Sequence, residues 1–417
     1  AIGQSALRGG VTATVTGCIA IGDNALTATD TNNHTGTIAI GLNALTACTS
    51  GTNNTVVGSN GAAALATGGN NTVMGFNALD AADGAEADNT AIGNECMGAL
   101  NHDTSLKNTA VGSLALDGAV DVDNTVAIGY NCLGGVLTGV YNTAIGSAAG
   151  ATMTSGSQNV IIGYEALDNS THSEHNVSIG VSSMGAVATS TSAVIAGCVA
   201  IGHEAFLGTT DTDANTNGTV AIGKESLKSL LSGAKNTAVG YNTMMNSETD
   251  ANCTVLGYGA MQASYEDGAN SNNTFIGHLS GSGTWASNAS HSNTAVGSYT
   301  MVAAMNNSLY NTSCGYSSLN QVTGSGNTAL GYNAGDILTT GEYNTHIGYN
   351  ADGDIAAQSN QTVIGNSGAF KFLSKEYTCD HADGEDTASA ASEAAPLKLP
   401  AYSIIKSISA IVTQLSN

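Results

Sequence analysis

The sequence predicts an all-β chain: a parallel β-roll or β-solenoid of about 21 coils of 16–22 residues, with a short α-helical, coiled-coil segment at its C-terminus. Three observations predict it. A phrase close to Asn-Thr-Ala-Ile-Gly recurs, as at Asn89–Gly93, Asn108–Gly112, Asn142–Gly146 and Asn327–Gly331. Its glycines run from Gly3 to Gly365, most often 17 residues apart. Glycine is abundant (53) and proline almost absent (2), so turns are many, yet no Gly-X-Y triplet of collagen appears. A period this short and persistent belongs to stacked coils, whose core grows along one axis.

Each element of the unit has a physical reason. The generic coil reads N-T-A-[IV]-G-[Y/x]-N-A-L, then about eight polar or small residues. A second version, as in Asn124-Thr125-Val126-Ala127-Ile128-Gly129, carries one more residue before the glycine. There Val126 and Ile128 share one strand face and Ala127 the other. The Ile or Val before the glycine is the expected core residue. A second apolar anchor, such as Leu79, Leu133, Phe206 or Met244, follows four residues after the glycine. Two anchors around a tight turn predict two short strands folded together, which bury their faces only by stacking.

The glycine answers either to positive φ or to a neighbouring backbone too close for a Cβ. The recurrent asparagine favours a turn and tolerates left-handed backbone. Stacked coil on coil, these asparagines are expected to form an amide ladder. At about 4.8 Å per coil, twenty steps make a rod of roughly 100 Å, which argues against a compact enzyme.

Composition narrows the partners. With 9 Lys+Arg against 32 Asp+Glu the formal charge is −23, which argues against nucleic acid. No apolar run reaches membrane-spanning length. Eight cysteines include no C-x-x-C pair. They read either as a disulfide or zinc framework or as small apolar substitutes for Ser, Thr and Ala, and the second reading is favoured. Unpaired cysteines fit folding in a reducing compartment. The chain opens inside a repeat, at Ala1-Ile2-Gly3, as expected of a portion of something longer.

The repeat phrase resembles known families. Asn124–Gly129 is similar to the head repeat of trimeric autotransporter adhesins of the YadA type. The N-T-A-[IV]-G-Y-N-A-L form resembles still more closely repeats in phage and prophage tail fibres. The resemblance covers about residues 1–370 and rests on a short motif repeated some twenty times. It implies a left-handed parallel β-roll, three chains side by side and an adhesive, extracellular role, on a virion tail fibre or a cell surface. The coils here are longer than the adhesin pattern, and neither a membrane-anchor barrel nor a fibre-chaperone catalytic segment is seen.

After the solenoid of residues 1–373 the texture changes. Residues 374–400 read as an acidic, Ala/Ser-rich linker. In residues 401–417, Ala401, Ile404, Ile408, Ile411 and Leu415 keep a 3-4-3-4 spacing, a helical seam whose isoleucines favour trimers.

The search for chemistry yields few residues. No G-x-S-x-G, H-E-x-x-H or phosphate-binding glycine loop occurs. Asp211, Asp213, Asn215 and Asn217 alternate oxygen ligands in a manner suited to calcium, though any exposed turn uses the same residues. Tyr130, Tyr164, Tyr241, Tyr258, Tyr316, Tyr332 and Tyr349 each follow a repeat glycine, either to grip sugars or to build a structural ladder. Overlong coils bulge from the surface and carry Tyr265, Glu266, Asp267 and the single tryptophan, Trp285, which is a recognition residue or a core filler.

The expectation is a non-enzymatic phage tail-fibre segment that binds host-surface glycans and self-associates as a homotrimer. The alternatives are a bacterial trimeric adhesin head and a subunit of a self-assembling filament, calcium-linked in one form.

Overall fold

A computed structural model describes residues 1–8, 14–28, 34–102, 105–187, 194–208, 216–264, 270–285, 289–353, 355–366 and the backbone of 371–373. The chain divides into two units, Ala1–Ser374 and Lys375–Asn417, and the first is a parallel β-solenoid. The linker and the isoleucine seam lie outside the described residues.

Each coil contributes one three-residue strand to a single parallel ladder. Ile19–Ile21 pairs with Ile38–Ile40, Val126–Ile128 with Thr143–Ile145, and Thr345–Ile347 with Gln361–Ile364. Lys371–Leu373 then joins antiparallel and reverses the direction. The expected second strand is not a general feature. Short pairs appear at Val15–Thr16 with His34–Thr35 and at Ser173–Glu174 with Ile195–Ala196. The second anchors, such as Leu26, Leu116 and Leu167, sit in turns instead.

The core corrects the sequence reading. It is the middle strand residue that points inward: Ala91, Ala110, Ala127 and Ala144 are fully buried. Ile128 and Ile145, the residues before the glycine, face outward and are more than one-third exposed. Many coils set one large anchor, Leu116 or Leu133 for example, against a small middle residue. Larger middle residues are admitted where a glycine makes room: a Cβ on Gly150 would lie 3.1 Å from the buried Ile161 side chain of the next coil. Where the middle residue is Phe275, the anchor place is Gly281, and a Cβ there would lie 2.6 Å from the Phe275 ring.

The turn is more unusual than glycine and asparagine alone foretell. Its glycines have φ from 126° at Gly348 to 154° at Gly58 along most of the stack. A Cβ on Gly129 would stand 2.3 Å from the Gly146 carbonyl oxygen, so backbone shape and close approach both demand glycine. Two residues in the following turn are also left-handed, for example Asn131 (φ 52°) and Leu133 (φ 49°). Left-handed leucine costs about 1–2 kcal/mol. Full burial of the same side chain contributes about 1.5–3 kcal/mol, so burial prevails.

The asparagine ladder forms, but for a different reason than turn preference. The Asn54 side chain accepts from the Asn71 N–H at 2.9 Å and donates to the Gly68 carbonyl at 2.8 Å, both one coil ahead. Asn71, Asn89 and Asn108 continue it. These asparagines are buried and are not left-handed; the residue before each is, as at Asp88 and Lys107.

The longer repeat version contains no insertion. Thr125 takes the asparagine place, receiving the Asn108 oxygen on its N–H at 3.0 Å, while Asn124 is the left-handed residue. Cys253 fills the same place, and its thiol donates to the Asn270 carbonyl. The described cysteines are free, and burial pushes the Cys96, Cys132 and Cys253 thiols up to about 12.

Candidate interaction surface

The outward sheet face follows from the strand register. First and third strand residues project away from the core, so each coil adds one member to two parallel rows. One row runs Thr72, Thr90, Thr109, Val126, Thr143; the other runs Met74, Ile92, Val111, Ile128, Ile145. Among the described parallel strands of this ladder neither row carries a charged residue. On a chain of net charge −23 the acidic groups are thus excluded from this face.

Beyond the glycine lies the column of the tyrosines. From Tyr241 onward the rings touch. Tyr241 stacks on Tyr258 at 5.2 Å, Tyr316 on Tyr332 at 5.3 Å, and Tyr332 on Tyr349 at 5.2 Å. His278 and Tyr299 complete the run, Tyr299 edge-on to its neighbours. The Lys224 ammonium covers the far face of Tyr241, 5.6 Å from the ring centre. Such stacking uses the ring faces and leaves edges and hydroxyls for solvent.

Tyr130 and Tyr164 occupy the same column without stacking. The serine at position 147 lies between them. Tyr130 accepts the Ala148 N–H, Ser147 the Glu165 N–H and Tyr164 the Ser182 N–H, which sets the three on successive rungs. The Tyr164 hydroxyl donates to Glu165, whose hydrogen bond and charge raise the phenol above its ordinary range.

Trp285 is a core residue. It is 2% exposed, packs edge-on against Phe275 at 5.5 Å and donates from Nε1 to the Gly281 carbonyl at 2.8 Å. Tyr265, Glu266 and Asp267 lie outside the described residues, as do Asp211, Asp213 and Asn215. Asn217 is described, and its oxygen accepts the Ala196 N–H at 2.8 Å, a rung-to-rung bond.

Sequence reasoning missed an ionic cluster at His203, Glu204 and Glu225, whose ligand atoms lie within 4.8 Å of one another. Lysines already neutralise both carboxylates: Lys228 meets Glu204 at 2.6 Å and Lys224 meets Glu225 at 3.2 Å. The Lys228 hydrogen bond holds Glu204 below its usual range. The cluster could not be read from spacing, because it joins residues one coil apart.

Among the described residues no helix is long and apolar enough to cross a membrane. The architecture defines the class, a single-stranded-coil parallel β-solenoid. No family model matches this chain, and no curated protein matches it either.

Proposed function

We propose that this chain is a segment of a fibrous, extracellular adhesion protein, a phage tail-fibre shaft or head, in which three copies lie side by side and present repeated sites to host-surface glycans. The observation that carries the reading is the outward sheet face. Two uncharged, mostly β-branched rows continue from coil to coil, a surface that water solvates poorly and that other copies of the chain would cover. Repeated coils then give each fibre many equivalent weak contacts, and three chains multiply them. The resemblance of Asn124–Gly129 to adhesin and tail-fibre repeats supports the same reading.

Sedimentation equilibrium tests the assembly. The expected particle has three chain masses, and Ile128→Asp with Ile145→Asp should give folded monomers. A wild-type chain that stays monomeric at micromolar concentration overturns the trimer. Indefinite filaments in micrographs support instead a polymerising subunit. Adsorption of fluorescent protein to bacterial envelopes, lost after periodate oxidation of their sugars, tests the adhesive role.

A further inference from the structure

The tyrosine column holds two arrangements, and one of them has room for a ligand. Between Tyr241 and Tyr349 each rung is filled by a ring or bridged by one. At Tyr130 and Tyr164 the intervening rung is a serine, and among the described residues neither ring has an aromatic neighbour. Both rings are solvent-accessible, 58% and 51% exposed.

The spacing selects the ligand. Two parallel strands two rungs apart are separated by about 9.5 Å. A flat ring in van der Waals contact on both sides needs only about 8 Å between the flanking ring planes, at roughly 4 Å per contact. The remainder suits a puckered ring with axial hydrogens directed at each phenol. The intervening rung is polar in type, a serine, and the Glu165 carboxylate bonds the Tyr164 hydroxyl, so polar groups suited to ligand hydroxyls belong to these rungs.

We propose that the interval between Tyr130 and Tyr164, set by the Ser147 rung, is a subsite for a single pyranose ring clasped between the two phenols. It rests on the adhesive reading and gives it a location. The contiguous ladder has no such interval, because its ring faces are already in contact.

Ligand-observed saturation-transfer NMR on the full chain, with a panel of methyl hexopyranosides as probes, tests it. Saturation should reach the sugar ring protons of at least one probe. Tyr130→Ala and Tyr164→Ala should each weaken binding about tenfold, the scale of one lost aromatic contact. Ser147→Tyr fills the interval and continues the ladder. It should abolish binding with no loss of thermal stability, which separates occlusion from unfolding. Tyr332→Ala should leave binding unchanged. No transfer to any probe, or wild-type binding by Ser147→Tyr, overturns the subsite. The wider reading has its own readout: envelope adsorption that survives Ser147→Tyr leaves adhesion standing and removes only this subsite.

Discussion

Tyr130 and Tyr332 stand at the same place in their coils, one residue after the turn glycine, yet they do different work. Tyr332 lies between Tyr316 and Tyr349 with both faces covered. Tyr130 stands beside serines, at positions 113 and 147, on the adjoining rungs. The backbone around them is the same, with the same strand register and the same glycine turn. In a solenoid, therefore, the role of a side chain is set less by its own identity than by the residues one period before and after it. That lesson can be broken or sharpened by substitution.

The largest effect should be common to both regions. Gly146→Ala would drive a Cβ to 2.4 Å from the Gly163 oxygen, and Gly331→Ala to 2.3 Å from that of Gly348. Each should cost about 3 kcal/mol or more, through strain and a backbone clash together. Equal losses in melting experiments would confirm one frame beneath two surfaces; a tolerated change in either region would refute it.

The buried asparagines come next. Asn142→Ala removes the acceptor for the Asn159 N–H and the donor to the Gly156 carbonyl. Asn327→Ala does the same to Asn344 and Gly341. Leaving buried backbone groups unpaired should cost about 2–3 kcal/mol in each case, read by chemical denaturation.

Only the third comparison should separate the regions. Tyr332→Ala loses two stacked neighbours and should cost about 1–2 kcal/mol. Tyr130→Ala should stay within about 0.5 kcal/mol, because its ring supports no neighbour. Equal costs at the two positions would show that the ladder adds nothing to stability.

The smallest effect lies at the ladder's end. Asp352 takes the anchor place normally held by leucine, and burial beside Asp336 raises its carboxyl from 3.8 to about 7. The folded coil holds this proton where the unfolded chain has released it. Stability of the last coils should therefore fall as pH rises from about 4 to 7, and level off at its lowest value above 7. His346 on the same coil opposes this. Burial lowers its pKa, so its neutral ring, donating from Nδ1 to the Ala351 carbonyl, loses stability as pH drops below 6.5. Hydrogen exchange at Tyr349 and Gly365 should show the Asp352 trend sharpen in His346→Ser and vanish in Asp352→Asn.

Much of this was legible in the linear chain, and the limits are instructive. The solenoid, its parallel stacking, the glycine turn and the asparagine ladder follow from the period and from residue chemistry. The inward face of the strand was read the wrong way round. Hydrophobicity alone favours Ile128 over Ala127 for the core, but strand alternation and the turn at Gly129 put Ala127 inside with Leu133 and leave Ile128 on the outer face. Left-handed leucines were not foreseen either, since burial outweighs a local penalty that propensity treats as prohibitive. Trp285 reads as a loop residue in sequence because neither its ring partner, Phe275, nor its acceptor, the Gly281 carbonyl, is signalled by spacing.

What the sequence determined by itself is the repeat and everything periodic with it, because each coil solves the same packing problem with the same few residues. What only the tertiary structure decided is which way each strand faces and which residues meet across coils. Those outcomes include the run of ring contacts from Tyr241 to Tyr349, the ion pairs of Lys224 and Lys228, and the serine rung that keeps Tyr130 and Tyr164 apart. The reason is physical. Backbone preference acts within a coil, whereas contact acts between coils some seventeen residues apart, and that distance closes only when the chain has stacked.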